Sequence, residues 1–219
     1  MAASKNASKQ PAITRRQQKE NTRAKLLAAA LELSDGRSLG ELSLREISRA
    51  VGVAPTAFYR HFPDVESLGL ALVGESLDRL RALVASARTP TGSGLTGQEM
   101  AAILLDYVRE HRLHFRFLAR ERFGSLPSLR RTIDLDLRSF AADLAADLSR
   151  MPALRERGEE DLEALAALIV TIMIRAVEEV LETPTPNRKL EDAILARTER
   201  QLQLVTAGLR SWSGSNGND

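Results

Sequence analysis

Residues 42–62 read LSLREISRAVGVAPTAFYRHF, and the fold follows from how this stretch starts and stops. Ser43 is placed to cap a helix, Glu46 three residues on completes a capping box, and Leu42 with Ile47 supplies a hydrophobic staple. The helix so begun is short, Leu44 to about Ala50, because Gly52 breaks it. Pro55 then stands where a first helical residue would, so a further helix is expected from about Pro55 to His61. Two short helices joined by a tight glycine-containing turn make a helix-turn-helix. In such a pair the second helix enters the major groove of duplex DNA and its N-terminal residues reach base edges. Val53, Phe58 and Phe62 have the spacing to face inward, which leaves Pro55, Thr56, Tyr59 and Arg60 outside. Thr56 offers a methyl and a hydroxyl to a thymine methyl or a phosphate, and Arg60 suits guanine or phosphate. Tyr59 and His61 are candidate phosphate donors, the alternative for Tyr59 being a core aromatic. The N–H groups after Ser43, with Arg45, form an anion site at a helix N-terminus. Arg15, Arg16 and Lys19 would add charge against the DNA backbone or minor groove.

Upstream, residues 1–14 are Ala, Ser and Lys-rich without periodicity and are expected to form a disordered basic arm. A helix follows from near Arg15, with Leu26, Leu27, Ala30 and Leu31 on one face, and stops at Asp35-Gly36. Downstream, Pro63-Asp64 precedes a long connecting helix with Leu68, Leu72, Leu80 and Leu83 along its stripe. Thr89 to Gly97 reads as a loop. Helical patterns then cover about Gln98–His111, Leu113–Phe123, Ser128–Met151, Glu160–Glu182 and Arg188–Trp212. No run alternates long enough for a strand and no fixed period repeats, so the class is all-α with about nine helices. The expected division is arm 1–14, helix-turn-helix domain 15–62, connecting helix 63–88 and a second helical domain 89–219.

Charge sharpens this division. Residues 1–62 hold 11 Lys and Arg against 5 Asp and Glu, whereas the remainder holds 20 against 24. A basic front and a mildly acidic rear confine polyanion contact to the front. The chain has no cysteine, which excludes disulfides and thiolate chemistry. It shows no signal-type apolar run at its start, and its most apolar run, Ala164 to Ile174, is shorter than the ~20 residues a membrane span needs. A soluble protein of the cytoplasm, associated with the nucleoid, is expected. There is no glycine-rich phosphate loop and no nucleophile elbow, so neither catalysis nor a cofactor is expected. His111 and His114 lie three apart, a spacing open to a metal, but too few further ligands lie near and no metal site is expected.

The run Gly52-Val-Ala-Pro-Thr-Ala-Phe-Tyr-Arg-His-Phe62, preceded by Leu42-Ser-Leu-Arg-Glu-Ile47, closely resembles the DNA-binding domain of TetR-family regulators, over about residues 17–75. The resemblance implies DNA contacts from Ser43, Arg45, Pro55, Thr56, Ala57, Tyr59, Arg60 and His61. One position departs: many members carry a phosphate-holding lysine after the His-Phe pair, where this chain has Pro63-Asp64-Val65-Glu66. A narrower likeness joins the same motif to Asp64-Val65, Leu68-Gly69-Leu70 and Phe115-Arg-Phe-Leu-Ala-Arg-Glu-Arg122 with Gly124. Those segments are similar to the branch that regulates fatty-acid desaturation and unsaturated-fatty-acid synthesis, whose members sense acyl-CoA thioesters.

The rear half carries two stripes that need partners. One is Leu165, Leu168, Ile169, Ile172 and Val180; the other is Leu190, Ile194, Leu202, Val205, Leu209 and Trp212. The resemblance implies that the last two helices of each subunit form an intersubunit four-helix bundle; the alternative is packing within the chain. A two-fold homodimer also suits a pseudo-palindromic operator. The resemblance further implies a pocket for an apolar effector. Phe115, Phe117 and Phe123 interleave with Arg112, Arg116, Arg120 and Arg122, so aromatics would line an acyl cavity and arginines would meet phosphate or carboxylate at its mouth. Tyr107, Leu118, Phe140, Ile172 and Met173 are further lining candidates, and ordinary core with salt-bridged arginines is the alternative. The expected protein is a repressor controlled by an apolar ligand, with long-chain acyl-CoA the candidate the resemblance implies. The rivals are a xenobiotic-sensing repressor of an efflux pump and a non-regulatory helical lipid-binding protein or enzyme.

Overall fold

The computed structural model describes residues 14–87, 97–183 and 187–212. The arm expected over 1–14 therefore lies outside the described residues except for Thr14, and the loop expected over 89–97 except for Gly97.

The first helix, α1 (Arg15–Leu33), is opened by a capping box: the Gln17 N–H donates to Thr14 Oγ1 at 3.3 Å and the Thr14 N–H to Gln17 Oε1 at 2.9 Å. A 3-10 turn, Leu39–Glu41, intervenes before α2 (Leu44–Val51) and α3 (Pro55–Phe58). The Ser43–Glu46 box closes in both directions: Ser43 N–H donates to the carboxylate at 2.8 Å, and Glu46 N–H to Ser43 Oγ at 3.2 Å. Gly52 ends α2 at φ +73°, where a side chain would be strained. Its N–H donates to Arg49 O and that of Val53 to Ser48 O, the two bonds of a Schellman motif.

The helix expected to reach His61 is regular only to Phe58. Residues 60 and 61 continue it as a tighter turn, donating to Ala57 O and Phe58 O three residues back. Pro63 accounts for the stop, since the residue before a proline is driven out of the helical region.

The long α4 (Val65–Ala87) leaves this head. Asp64 opens it, accepting from the Ser67 N–H at 2.6 Å, so within the Pro63–Glu66 stretch one acidic residue serves as a helix cap. The body comprises α5 (Gly97–Glu110), α6 (Arg112–Glu121), α7 (Pro127–Ser149), α8 (Glu159–Glu182) and α9 (Arg188–Ser211), with α8 packed between α7 and α9. The described residues thus form nine α-helices and no strand.

Three apolar clusters hold the chain. The first joins head to body: Leu26, Ile47, Phe58 and Phe62 of the head share it with Leu68 and Leu72 of α4, Phe117 of α6 and Leu129 of α7. The second lies between α5, α6, α8 and α9 around Val108, Phe115, Val180 and Ile194. The third ties α7 to α8 and α9 through Leu148, Leu162, Leu165 and Ala166, with Val205 and Leu209 against it. Close approach at the head–body seam is made possible by Gly69 of α4, where a Cβ would come within 2.3 Å of Leu39 Cδ2 and 3.0 Å of Leu129 Cδ2.

Two sets of sequence-derived candidates are rearranged by this packing. Leu165, Ile194 and Leu202 are buried inside the chain, and Ile169, Val205 and Leu209 pack on its third cluster. The first three are therefore interior residues of the subunit, and the other three are half-buried at its edge. The outward face of α8 carries Ala164, Ala167, Leu168 and Thr171, and that of α9 carries Ala193, Leu204 and Gly208. Leu168 is 52% and Leu204 64% exposed, and Leu190 and Trp212 also face out. Helical phase explains the exchange: the densest apolar stripe is taken by neighbours in the same chain, and a sparser stripe of leucines and small residues remains outside.

The proposed ligand-lining set is divided as well. Phe117 and Leu118 belong to the head–body cluster, whereas Phe115 and Tyr107 belong to the second cluster, their rings 5.9 Å apart and edge to face. Phe140 packs on the first cluster beneath the Arg81 guanidinium. Ile172 and Met173 are half-buried on α8, and Phe123 is 75% exposed. Positions 115 and 117 stand about 200° apart around a helix, so their side chains leave it in nearly opposite directions.

Candidate nucleic-acid interface

The head presents one polar face built on α2, α3 and the start of α1. Phe58 is fully buried and holds α3 against the core, with Phe62 5.9 Å away. One residue further on, Tyr59 is 61% exposed, its ring edge-on to Phe58 at 6.1 Å. Burial of Phe58 thus dictates exposure of Tyr59, since neighbours on a helix stand about 100° apart. Pro55, Thr56 and Arg60 are exposed beside it and Ala57 is half-buried. A tyrosine held at this exposure is outside the core, with its phenol available to solvent or a partner.

Ser43 and Arg45 are exposed at the start of α2. The capping box takes the Glu46 N–H, so the first-turn N–H groups of Leu44 and Arg45 remain at the open end of the helix. Glu46 is held well below the usual carboxylate range, at about 2, first by the Ser43 backbone N–H, then by the Ser43 hydroxyl and Arg37. It is therefore ionised at neutral pH, and its pair with Arg37 at 3.1 Å offsets the charge it places beside an anion site.

Between α1 and the end of the helix-turn-helix lies a surface cleft of about 450 Å³, lined by Arg16, Lys19, Glu20, Arg23, Arg60 and His61. Arg16 and Lys19 meet there from the first turns of α1, and Arg15 is exposed next to them. Arg23 and Glu20 complete the lining, and neither was among the sequence candidates. Their signal was present: Arg16, Lys19 and Arg23 recur at i, i+3 and i+7, one face of a helix. Glu20 pairs with Arg16 at 3.0 Å, and the Arg23 guanidinium lies 5.2 Å from the Phe62 ring centre. His61 faces this set with its Nδ1 buried and without a hydrogen-bond partner. Partial burial, followed by Lys19, Arg23 and Arg60, pushes the imidazole below its ordinary value. Cations gathered around a neutral imidazole make a concave surface suited to a phosphate.

The arginines of α6 have other work. Arg112 donates to Thr183 O at 2.6 Å and to Leu181 O, Arg116 pairs with Asp35 at 3.3 Å, and Arg120 donates to Ser34 O. Arg122 lies 4.0 Å from both Asp134 and Glu178 and 5.3 Å from the Phe123 ring. Among the described residues no group of three His, Asp or Glu is placed to hold a metal ion, and no helix is long and apolar enough to cross a membrane.

A helix-turn-helix head with an outward aromatic and basic face, carried by a long connecting helix on an α-helical body, defines a DNA-binding regulator of transcription. The family model for bacterial regulatory proteins of the TetR family matches residues 26–72, and that for the tetracyclin repressor-like C-terminal domain matches residues 98–209. The chain belongs to the TetR family; it is a transcriptional regulator and not an enzyme. Solved structures share the fold. A TetR-like transcriptional regulator from Rhodococcus sp. RHA1 matches with a TM-score of 0.67 at 18% identity, over 85% of this chain and 96% of its own. The fatty acid degradation regulator FadR from Bacillus halodurans matches with a TM-score of 0.62 at 17% identity, over 86% and 96%. SmeT in complex with triclosan matches with a TM-score of 0.65 at 17% identity, over 86% and 91%.

Proposed function

We propose that this chain is a homodimeric repressor that binds a pseudo-palindromic operator through Pro55, Thr56, Ala57, Tyr59, Arg60 and His61. Ser43, Arg45, Arg15, Arg16 and Lys19 supply the contacts to phosphate. The observation that carries this reading is the exposed Tyr59 and Arg60 beside the cleft of cations at the end of the helix-turn-helix. The outward stripe of α8 and α9, centred on Leu168 and Leu204, is the dimer face. An exposed apolar stripe of this length on two adjacent helices is stabilised by a second copy.

The effector in this reading is apolar, and a long-chain acyl-CoA of lipid metabolism is the first to test, on the likeness of residues 54–70 and 115–124 to the desaturation branch. A ligand that prefers one separation of the two heads would shift operator affinity by about 1–3 kcal/mol. One observation favours the rival, a xenobiotic sensor controlling an efflux pump. Arg112, Arg116 and Arg120 are committed to partners within the chain and do not stand ready for the phosphates of a thioester carrier. The solved structures include both a fatty acid degradation regulator and a triclosan complex, at equal identity, so fold does not choose between them.

The test is binding of the purified protein to the DNA upstream of its own gene at fixed salt, with and without saturated and unsaturated long-chain acyl-CoA. Tight, selective binding that shifts with acyl-CoA supports the whole reading. Selective binding indifferent to acyl-CoA removes the lipid effector and leaves the repressor. Binding that weakens with salt but ignores sequence removes the repressor.

A further inference from the structure

The helix α6 ends on a side chain that the DNA-binding reading does not use. Glu121 is fully buried, yet its carboxylate lies among groups of the head: it accepts from the Leu39 N–H at 2.8 Å and from the Ser38 hydroxyl at 3.0 Å. Those donors open the 3-10 turn between α1 and α2, so one carboxylate of the body caps a turn of the head. A buried carboxylate is costly unless its oxygens are hydrogen-bonded, and here the partners come from 82 and 83 residues away. Room for it is left by Gly124, where a Cβ would come within 2.5 Å of Glu121 Oε2. Gly40 keeps the same seam close, since a Cβ there would meet Ser125 Oγ at 2.2 Å.

The rest of α6 extends the pattern. Arg112, Arg116 and Arg120 recur every four residues along one face. Arg112, at one end, donates to Leu181 and Thr183 carbonyls where α8 stops. Arg120, at the other, donates to Ser34 O where α1 stops, with Arg116 paired to Asp35 beside it. A cation placed at a helix C-terminus satisfies orphan carbonyls and complements the helix dipole. His114 fastens the middle to α4: Ser76 Oγ donates to Leu72 O at 2.8 Å and therefore accepts from His114 Nδ1–H at 2.9 Å. The helix is thus a strut fixed to α8 of the body, to α4, and to the α1–α2 corner of the head.

Resting on the operator-binding reading above, we propose that Glu121 is a positioning residue for DNA recognition. Its carboxylate, with the Arg112–Arg120 stripe, fixes the angle of the head on the body and so the separation of the two recognition helices in a dimer. Selectivity for half-site spacing is then a property of α6, not of the helix that reads the bases.

The operator is first located by selection from random duplexes, and affinities are measured for it and for versions with one base pair inserted or removed between the half-sites. For the wild type, the matched spacing is expected to be preferred by about 5–150-fold, the size of effect that a defect of one base pair has in an operator. Glu121→Leu, which removes both acceptors, is expected to bring that preference below about threefold. Glu121→Gln keeps an acceptor for the Leu39 N–H and should retain most of it. Ser38→Ala, which leaves the apolar seam untouched, should give an intermediate value and serves if Glu121→Leu does not fold. Gly124→Ala, which crowds the carboxylate, should lower the preference in the wild type. Destabilisation by itself would weaken binding to every spacing alike. If no operator is recovered with the wild type, the regulator reading fails. If an operator is recovered and Glu121→Leu or Ser38→Ala keeps the wild-type spacing preference, the positioning role alone is overturned.

Discussion

Two segments of this chain look alike on paper and end in opposite roles. Residues 54–62, APTAFYRHF, and residues 114–123, HFRFLARERF, are both short, aromatic and arginine-bearing. In the first, two aromatics are buried and the polar set is turned to solvent: Phe58 and Phe62 are sealed in the core while Tyr59 and Arg60 are exposed. In the second, Phe115 and Phe117 go into two different clusters, Arg120 donates to the end of α1, and Arg116 pairs with Asp35 of the same chain. Composition does not separate a reading surface from an internal strut. What separates them is whether the polar groups meet partners from remote parts of the chain.

The largest effect expected from this comparison is on operator affinity. Tyr59→Ala combined with Arg60→Ala should reduce it by about 10²–10⁴-fold, since each good side-chain contact is worth about 1–3 kcal/mol. Dimerisation, measured by analytical ultracentrifugation, should be unchanged. Unaltered operator affinity in the double variant would remove the recognition-helix assignment. In the other segment, Phe117→Ala should lower stability by about 3–5 kcal/mol in urea unfolding, because it opens a cavity in the cluster joining head to body. Phe123→Ala, at an exposed ring two turns on, should stay within about 0.5 kcal/mol. Equal losses at both positions would contradict the burial of Phe117 and the exposure of Phe123.

The proposed dimer face gives a third contrast. Leu168→Arg should yield a folded monomer by size-exclusion chromatography, whereas Leu165→Arg, aimed into the third cluster, should fail to fold. A dimeric Leu168→Arg protein would move the interface elsewhere. Smaller again, Ser43→Ala should cost about 1 kcal/mol of stability through loss of the cap on α2. The smallest effect is proton-linked. His61 is held below its ordinary value when free, chiefly by burial, and a phosphate in the cleft would favour its charged form. The complex then binds more protons than the free protein, so affinity should rise as pH falls through the imidazole range, by at most about tenfold per pH unit. The rise should vanish in His61→Gln, and an identical pH profile in that variant would assign it to another group.

Much of the head was legible in sequence because its instructions are local. The Ser43–Glu46 box, the left-handed Gly52 and the proline at the start of α3 act within a few residues, and each stands where the pattern placed it. Thr14 with Gln17 obeys the same rule and was readable in the same way. The 3-10 turn at Leu39–Glu41 has its own Ser38–Glu41 box, but its purpose is supplied by Glu121, distant in sequence.

The sequence by itself determined the helices, their order and the outward face of α3, since capping groups, glycine, proline and a 3.6-residue period act over one or two turns. Only the tertiary structure decided which apolar stripe of α8 and α9 is interior, that Phe115 and Phe117 part company, and that the arginines of α6 cap α8 and α1. Each of these turns on the rotational phase of one helix against another. That phase is set by whole-chain packing, through close contacts such as Gly69 against Leu39, which no local pattern encodes.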